Sequence, residues 1–354
     1  MERLVESFDD LNSAFDDQLN RARAHTQSDS DAVSIDLDTG KDNKKIDFAK
    51  LAETFYNEQR QRIIEIQNPH ISSLPNDFLY HIGYASTDDL VSLFSDVKYV
   101  FTGGSSGRMQ KFANSLKEAA GVKLPTGAQL ADLSTTDRYS LFKVGPVLSV
   151  SHGMGMPSIS ILLHEITKLL AYAGATGVSM VRMGTSGGVG VEPGSVVVTT
   201  TAVNGSLEPF QRCTILGEEV KRTSEFNDDL GDLIASCWDE DTPIVRGKTM
   251  STDDFYEGQG RLDGAICDYV GKNKMDFLMK AHKGGVRNIE MESLQFASFT
   301  HRLGIPAAMV AVALLNRLEG DQVPASAETL SEYSARPQRL LASFLKKSIP
   351  YHSK

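Results

Sequence analysis

From about residue 77 onward, short apolar runs alternate with longer stretches in which apolar positions recur every three or four residues. The runs at 97–102, 144–150, 178–183, 195–202, 242–250 and 307–315 predict strands. The last is apolar throughout, the pattern of a strand covered on both faces. Ile159, Leu162, Leu163, Ile166, Leu169 and Leu170 line one face of a predicted helix, with Pro157 where a first turn tolerates it. Further helices are expected from near Arg108 and over 274–283, 291–303 and 331–346. Strands alternating with helices indicate an α/β fold whose central sheet is covered on both sides. In such folds ligands bind where loops leave strand ends. Glycine turns follow Thr102, Val150 and Met183, so three of them can converge.

The first 65 residues differ. Leu4, Phe8, Leu11, Phe15 and Leu19 predict an amphipathic helix with a narrow apolar stripe. Residues 25–45 are polar and charged and predict a linker, and a second charged helix is expected over 46–66. We therefore divide the chain into a partly flexible extension, 1–65, and one large domain, 66–354.

Composition narrows the chemistry. Of 354 residues, 41% are hydrophobic and 23% charged, as in a globular protein, and the net charge is −10. No basic stripe with interleaved aromatics is present, which argues against nucleic acid as a partner. An acidic chain repels anions at long range, so an anionic substrate must be caught by a local positive cluster. The three cysteines, Cys213, Cys237 and Cys267, are odd in number, widely spaced and free of CxxC, which predicts reduced thiols and no metal site. No apolar leader opens the chain, and the longest apolar runs are half a bilayer span. A cytoplasmic protein without a membrane partner is expected.

Two kinds of turn carry the candidate chemistry, one facing an anion and one facing a flat ring. Arg182 stands inside an apolar strand and leads into Gly184-Thr185-Ser186-Gly187-Gly188. A buried guanidinium must find an acid or an anion. Gly103-Gly104-Ser105-Ser106-Gly107-Arg108 lets backbone N–H groups and a helix start face an anion, with Arg108 adding a bidentate fork. The second kind, Tyr256-Glu257-Gly258-Gln259-Gly260-Arg261, presents an amide and a guanidinium suited to the edge of a flat ring bearing carbonyl and N–H groups. Glu290-Met291-Glu292 stands just before a helix, where acids favour the dipole; one carboxylate there can also bind sugar hydroxyls. Other matches fail. The Gly-x-Ser-x-Gly pattern of hydrolases occurs twice, around Ser105 and Ser186, with no signature around His282 or His301. Gly247-Lys248-Thr249 lacks the earlier glycine of a phosphate loop, and no complete dinucleotide-binding fingerprint occurs.

The segments 143–155 (with Ser151-His152-Gly153-Met154-Gly155), 184–188, 254–264, 287–293 and 314–322 resemble the animal uridine phosphorylases, within the nucleoside phosphorylase family. The likeness runs from about Asn68 to the end of the chain. It implies a three-layer α/β/α sandwich with a central mixed sheet, and reversible phosphorolysis of uridine (with deoxyuridine) to uracil and ribose 1-phosphate in pyrimidine salvage, with no cofactor. It implies that Gly104, Arg108, Arg138, Arg182 and Thr185 bind phosphate. Phe255, Gln259 and Arg261 would hold uracil, and His81, Thr185, Met291 and Glu292 the ribose. Arg182, Gln259 and Arg261 would carry the catalysis. His81 and Arg138 would come from a neighbouring subunit, so a homodimer with shared sites is implied. Bacterial relatives place a glutamate and a monovalent cation where Tyr139 stands, so no cation site is expected here.

The expected chemistry is an oxocarbenium-like sugar and a leaving uracil anion, which Gln259 and Arg261 stabilise. The nearest rival is a phosphorylase of another nucleoside on the same fold. Purine enzymes, however, usually carry an aspartate near Leu314-Leu315-Asn316, which is absent here. A nucleosidase, a non-catalytic nucleoside-binding regulator and a hydrolase built on Ser105 are the remaining alternatives.

Overall fold

A computed structural model describes residues 46–120 and 129–352. The expected helix through Leu4 to Leu19 and the linker 25–45 lie outside the described residues. Helix α1 (Phe48–Gln59) occupies part of the second predicted helix. The Asp47 carboxylate caps it, and it seats Ala52, Phe55 and Tyr56 in the main core. A small ribbon, β1 (Phe78–Leu79) and β2 (Tyr84–Ala85), and a short helix α2 (Leu90–Phe94) lead into the sheet.

Strand β3 (Tyr99–Gly103) runs into the glycine turn and helix α3 (Ser106–Ala119). The single strand expected over 144–150 is instead a hairpin, β4 (Leu141–Val144) and β5 (Val147–Ser151). Gly145, at φ +51°, and Pro146 make the reversal that an apolar run alone hides. Helix α4 (Met156–Tyr172) starts after Gly155 with the expected proline in its first turn. β6 (Ser179–Gly188) and β7 (Val196–Val203) follow. Next comes an outlying hairpin, β8 (Phe210–Ile215) and β9 (Glu218–Thr223), then α5 (Asp228–Ala235), capped by Asn227. The chain then forms β10 (Ile244–Ser251), α6 (Gly271–Lys283), β11 (Val286–Glu290), α7 (Ser293–Leu303), β12 (Ala307–Asn316) and α8 (Ala327–Ser348).

The main sheet has the order β11-β10-β7-β12-β6-β3-β5-β4 and is mixed. β3, β5, β6 and β12 run parallel, whereas β7 is antiparallel to β12. The two faces bury separate cores. Val181 and Met183 of β6 and Ala308 and Val310 of β12 face the layer of α1, α3, α5 and α8. Met180, Ala307, Met309 and Ala311 face α2, α4 and α7. That alternation is the period of two that makes a strand legible, and it gives the α/β/α sandwich. One pairing adds to it: the end of β6 also bonds β11 antiparallel, Gly187 opposite Ile289 and Gly188 opposite Asn288. Strands β6, β12, β7, β10 and β11 thereby close into a ring at one end of the sheet.

Candidate active site

The ring and the neighbouring strand ends collect the polar groups. Arg182, in mid β6, is 3% exposed. Its Nη1 pairs with Glu290 Oε2 at 2.8 Å, and its Nη2 donates to Glu292 Oε2. The acid demanded by an arginine inside an apolar strand is therefore a pair of carboxylates at the end of β11. Arg182 Nε, also buried, has no partner among the described residues. Breaking such a buried ionic group by removing one member costs about 3–5 kcal/mol.

The two glutamates are held differently. Glu290 accepts from the Ser293 hydroxyl at 2.6 Å and from the N–H groups of Ser293 and Glu292, so it also caps α7. Burial works to raise its pKa, but Arg182 and these donors outweigh it and hold the carboxyl below its ordinary value. Glu292 accepts the Gly155 N–H at 2.6 Å. There burial, with Glu290 beside it, outweighs Arg182 and pushes the carboxyl up. Met291, between them, is half-buried.

Gly104 lies where β3 ends. A methyl group there would come within 2.9 Å of the Gly153 carbonyl, so only glycine lets the two loops approach. Arg108, on the first turn of α3, is half-buried. Burial and the nearby Arg182 guanidinium make its charge harder to hold. No carboxylate pairs with it among the described residues, so an anion between the two guanidinium groups would relieve both.

The second group sits on the loop after β10. Arg261 binds Asp263 through Nε at 2.8 Å and Nη2 at 2.6 Å, with its guanidinium 4.5 Å from the Phe255 ring centre. Gln259 is 3% exposed, and its side-chain amide has no partner among the described residues. The loop is fastened from outside. Arg317 Nη2 donates to the Gln259 carbonyl, Tyr269 Oη to the Arg261 carbonyl at 2.6 Å, and the Leu262 N–H to Asp321.

The glycines of β6 join the two groups. The Arg182 guanidinium folds back over Gly184, where a methyl group would lie 3.2 Å from Nη1. The Arg317 stem packs on Gly187, where a methyl group would lie 3.0 Å from Cγ. At the rise of an extended strand these glycines are about 10 Å apart, and half-buried Thr185 stands between them. A cleft of about 580 Å³, lined by Met156, Asn204, Gln211, Thr252, Asp254 and Gly258, opens next to the start of the Gln259–Arg261 loop, and none of the candidate side chains named above lines it. Its size is that of a small-molecule site.

The fold thus brings together Gly104, Arg108, Arg182, Thr185, Met291 and Glu292 on one side, and Phe255, Gln259 and Arg261 on the other. His81 and Arg138 share a different patch. The Thr136 hydroxyl donates to the His81 carbonyl at 2.6 Å and accepts from the Arg138 N–H at 3.4 Å. Glu165 fixes the His81 ring through Nδ1 at 2.7 Å. Neither His81 nor Arg138 bonds or ion-pairs with the arginine or loop groups among the described residues. Tyr139 is buried, and its hydroxyl donates to the Ser158 carbonyl at 2.7 Å. The hydrolase alternative finds no support: Ser105 is exposed, and Ser186 donates to the Val312 carbonyl and accepts from Asn288.

Sequence reasoning missed the supporting residues Arg317, Asp321, Asp263 and Glu165, and left Glu290 without a distinct role. A charged residue following the apolar run that ends at Leu315 was the available signal for Arg317.

Comparison with known proteins gives the same picture. Residues 98–346 match the family model described as the phosphorylase superfamily. Uridine phosphorylase 1 of Mus musculus is 46% identical over 301 residues, spanning 84% of this chain and 97% of the relative. A uridine phosphorylase structure from the oomycete Phytophthora capsici superposes with TM-score 0.78 at 49% identity, covering 81% of this chain and 99% of that one. A Schistosoma mansoni uridine phosphorylase solved with thymidine does so with TM-score 0.77 at 38% identity, covering 82% and 100%. The chain belongs to the phosphorylase superfamily and, within it, to the uridine phosphorylases.

Proposed function

We propose that the protein catalyses the reversible phosphorolysis of uridine to uracil and ribose 1-phosphate, with deoxyuridine as a further substrate, and that it serves pyrimidine salvage in the cytoplasm. The observation that carries this reading is the joining of two unlike sites by one strand. A paired and an unpaired arginine lie at one end of the β6 glycine turn, and the Gln259–Arg261 loop lies at the other, about 10 Å along the strand.

In this reading phosphate lies between Arg108, Arg182, Gly104 and Thr185. One phosphate oxygen attacks the anomeric carbon as the C–N bond to the base breaks. The bonding pair leaves with uracil, whose developing negative charge is stabilised by Arg261 and Gln259. The base takes up one proton, and phosphate ends esterified to the sugar. The clamp on phosphate turns an encounter between two solutes into an oriented pair. Glu292 and Met291 hold the ribose from below. Residues 66–354 form the catalytic unit, with 1–65 as an extension whose α1 packs on it. His81 and Arg138 complete the site of a second copy, so the working form is a homodimer.

The test is release of free base from uridine, deoxyuridine, thymidine and inosine, each with and without phosphate. Uracil release that depends on phosphate and yields ribose 1-phosphate is expected. Release without phosphate would make the protein a nucleosidase, and preference for inosine would move it to another branch. Thymidine belongs in the panel because a relative has been solved with it bound.

A further inference from the structure

His152, the first residue after β5, is wholly buried, and neither ring nitrogen has a hydrogen-bond partner among the described residues. Buried polar side chains are rarely left so, and each such case calls for an explanation. Its backbone is fixed. The N–H donates to the Gly103 carbonyl at 2.9 Å, and the carbonyl accepts from the Ser158 hydroxyl at 2.5 Å. The ring faces the anion loop: Cε1 lies 3.8 Å from the point where a side chain on Gly104 would begin. Cε1 is the carbon between Nδ1 and Nε2, so the edge turned to Gly104 carries both nitrogens. The charged groups acting on the ring are Arg182 and Arg108, and together with burial, the larger effect, they hold it neutral, well below the ordinary histidine pKa. The Gly153 and His152 backbone groups pull the other way, yet neither meets the ring in hydrogen-bond geometry.

We propose that His152 is a further phosphate-contacting residue, one whose imidazole selects an oxyanion that still carries a proton. This rests on the reading of the arginine pocket as a phosphate site. Arginine and backbone N–H groups only donate, and of the groups placed around phosphate only the Thr185 hydroxyl can either donate or accept, so it suits a bare oxyanion equally well. Such a pocket would hold sulfate as well as phosphate. A neutral imidazole adds one N–H and one bare nitrogen. The bare nitrogen accepts the P–O–H hydrogen of hydrogen phosphate. Against sulfate, which has no proton at neutral pH, it sets lone pair against lone pair. A site built around a hydrogen bond strongly rejects the analogue that cannot make it.

The experiment is calorimetric titration of the full chain with inorganic phosphate and with sulfate at pH 7.5, in the wild type and in His152→Phe and His152→Gln. The expected result is that the wild type binds phosphate at least about tenfold more tightly than sulfate, one hydrogen bond's worth. The phenylalanine variant should lose that ratio, and the glutamine variant, which keeps a neutral acceptor, should retain part of it. Equal binding of the two anions by the wild type overturns the proposal, as does an undiminished ratio in folded His152→Phe. If the phenylalanine variant does not fold, the imidazole ¹⁵N resonances of the wild type decide. A shift on adding phosphate but not sulfate supports the contact, and no shift overturns it. Because binding is read without turnover, failure here leaves uridine phosphorolysis standing. Failure of phosphorolysis would show instead in the base-release assay.

Discussion

Arg317 donates from Nη2 to the backbone carbonyl of Gln259 over 3.0 Å, while its Nε reaches Asp321 Oδ1 at 3.1 Å. The guanidinium is almost wholly buried, and Lys274 shares Asp321 at 2.7 Å. One arginine thus ties the end of β12 to the loop that presents Gln259 and Arg261. Arg317→Met keeps the apolar stem over Gly187 and removes the fork. The expected outcome is a fall in kcat/KM for uridine of roughly 10²-fold, the scale of a small misplacement of a reacting group. KM for phosphate should be little changed. Steady-state kinetics with each substrate varied in turn checks this.

Glu290 serves Arg182 and the start of α7 together. Glu290→Gln keeps the shape but leaves Arg182 with Glu292 alone and weakens the cap. Unfolding free energy should drop by about 3 kcal/mol, as when a buried ion pair loses a partner. Urea denaturation measures it, and a loss under about 1 kcal/mol would mean the pairing is no stronger than a surface one.

His352 at the C-terminal end contacts the Tyr99 hydroxyl at 2.9 Å and the Tyr56 ring. Burial, helped by Lys98 and Arg60, pushes its pKa down to about 3. An unfolded histidine takes up a proton near pH 6.5. Between these values the unfolded chain binds a proton that the folded one refuses, so stability falls as pH drops from about 6.5 toward 3. His352→Gln should flatten that slope, as read from melting temperatures at pH 8 and pH 5, whatever it does to stability at pH 8.

Two impaired variants test whether sites are shared. Arg108→Ala removes a group from the pocket itself, and Arg138→Ala one from the patch that also bears His81. If Arg138 serves a neighbouring copy, each mixed dimer regains one complete site. Unfolding and refolding the two variants together should then restore up to about a quarter of wild-type activity, since half the dimers are mixed and each has one site of two. No recovery would place Arg138 in the pocket of its own chain.

The parts legible in the sequence were those where chemistry and period agreed. Strands such as β12, apolar throughout, and β6, apolar up to its single arginine, declared themselves, as did the glycine turns beyond them. β11 did not, because Arg287, Asn288 and Glu290 are buried polar residues, and the groups that make burial of Asn288 and Glu290 tolerable, Thr249, Ser186 and Arg182, stand on other strands. The hairpin of β8 and β9 was missed for the opposite reason: it is largely exposed and carries no core stripe. The helix α7 begins two residues later than its apolar pattern implied, because Glu290 spends its carboxylate on the Glu292 and Ser293 N–H groups. Arg182 was recognisable as needing an acid or an anion. That it has two acids, and keeps Nε in reserve, depends on the β6–β11 pairing, which no local pattern encodes.

That pairing also decides what can move. A strand bonded on both sides cannot swing without breaking two ladders, so Thr185, Arg182 and Glu290 ride on a hoop of fixed girth. The segment from Asp254 to Asp263 is pinned by side chains instead, and these exchange partners far more cheaply. On the proposed reading, the breathing that admits a nucleoside and sheds a free base falls to the Gln259–Arg261 loop, with the arginine end of the site acting as the anvil.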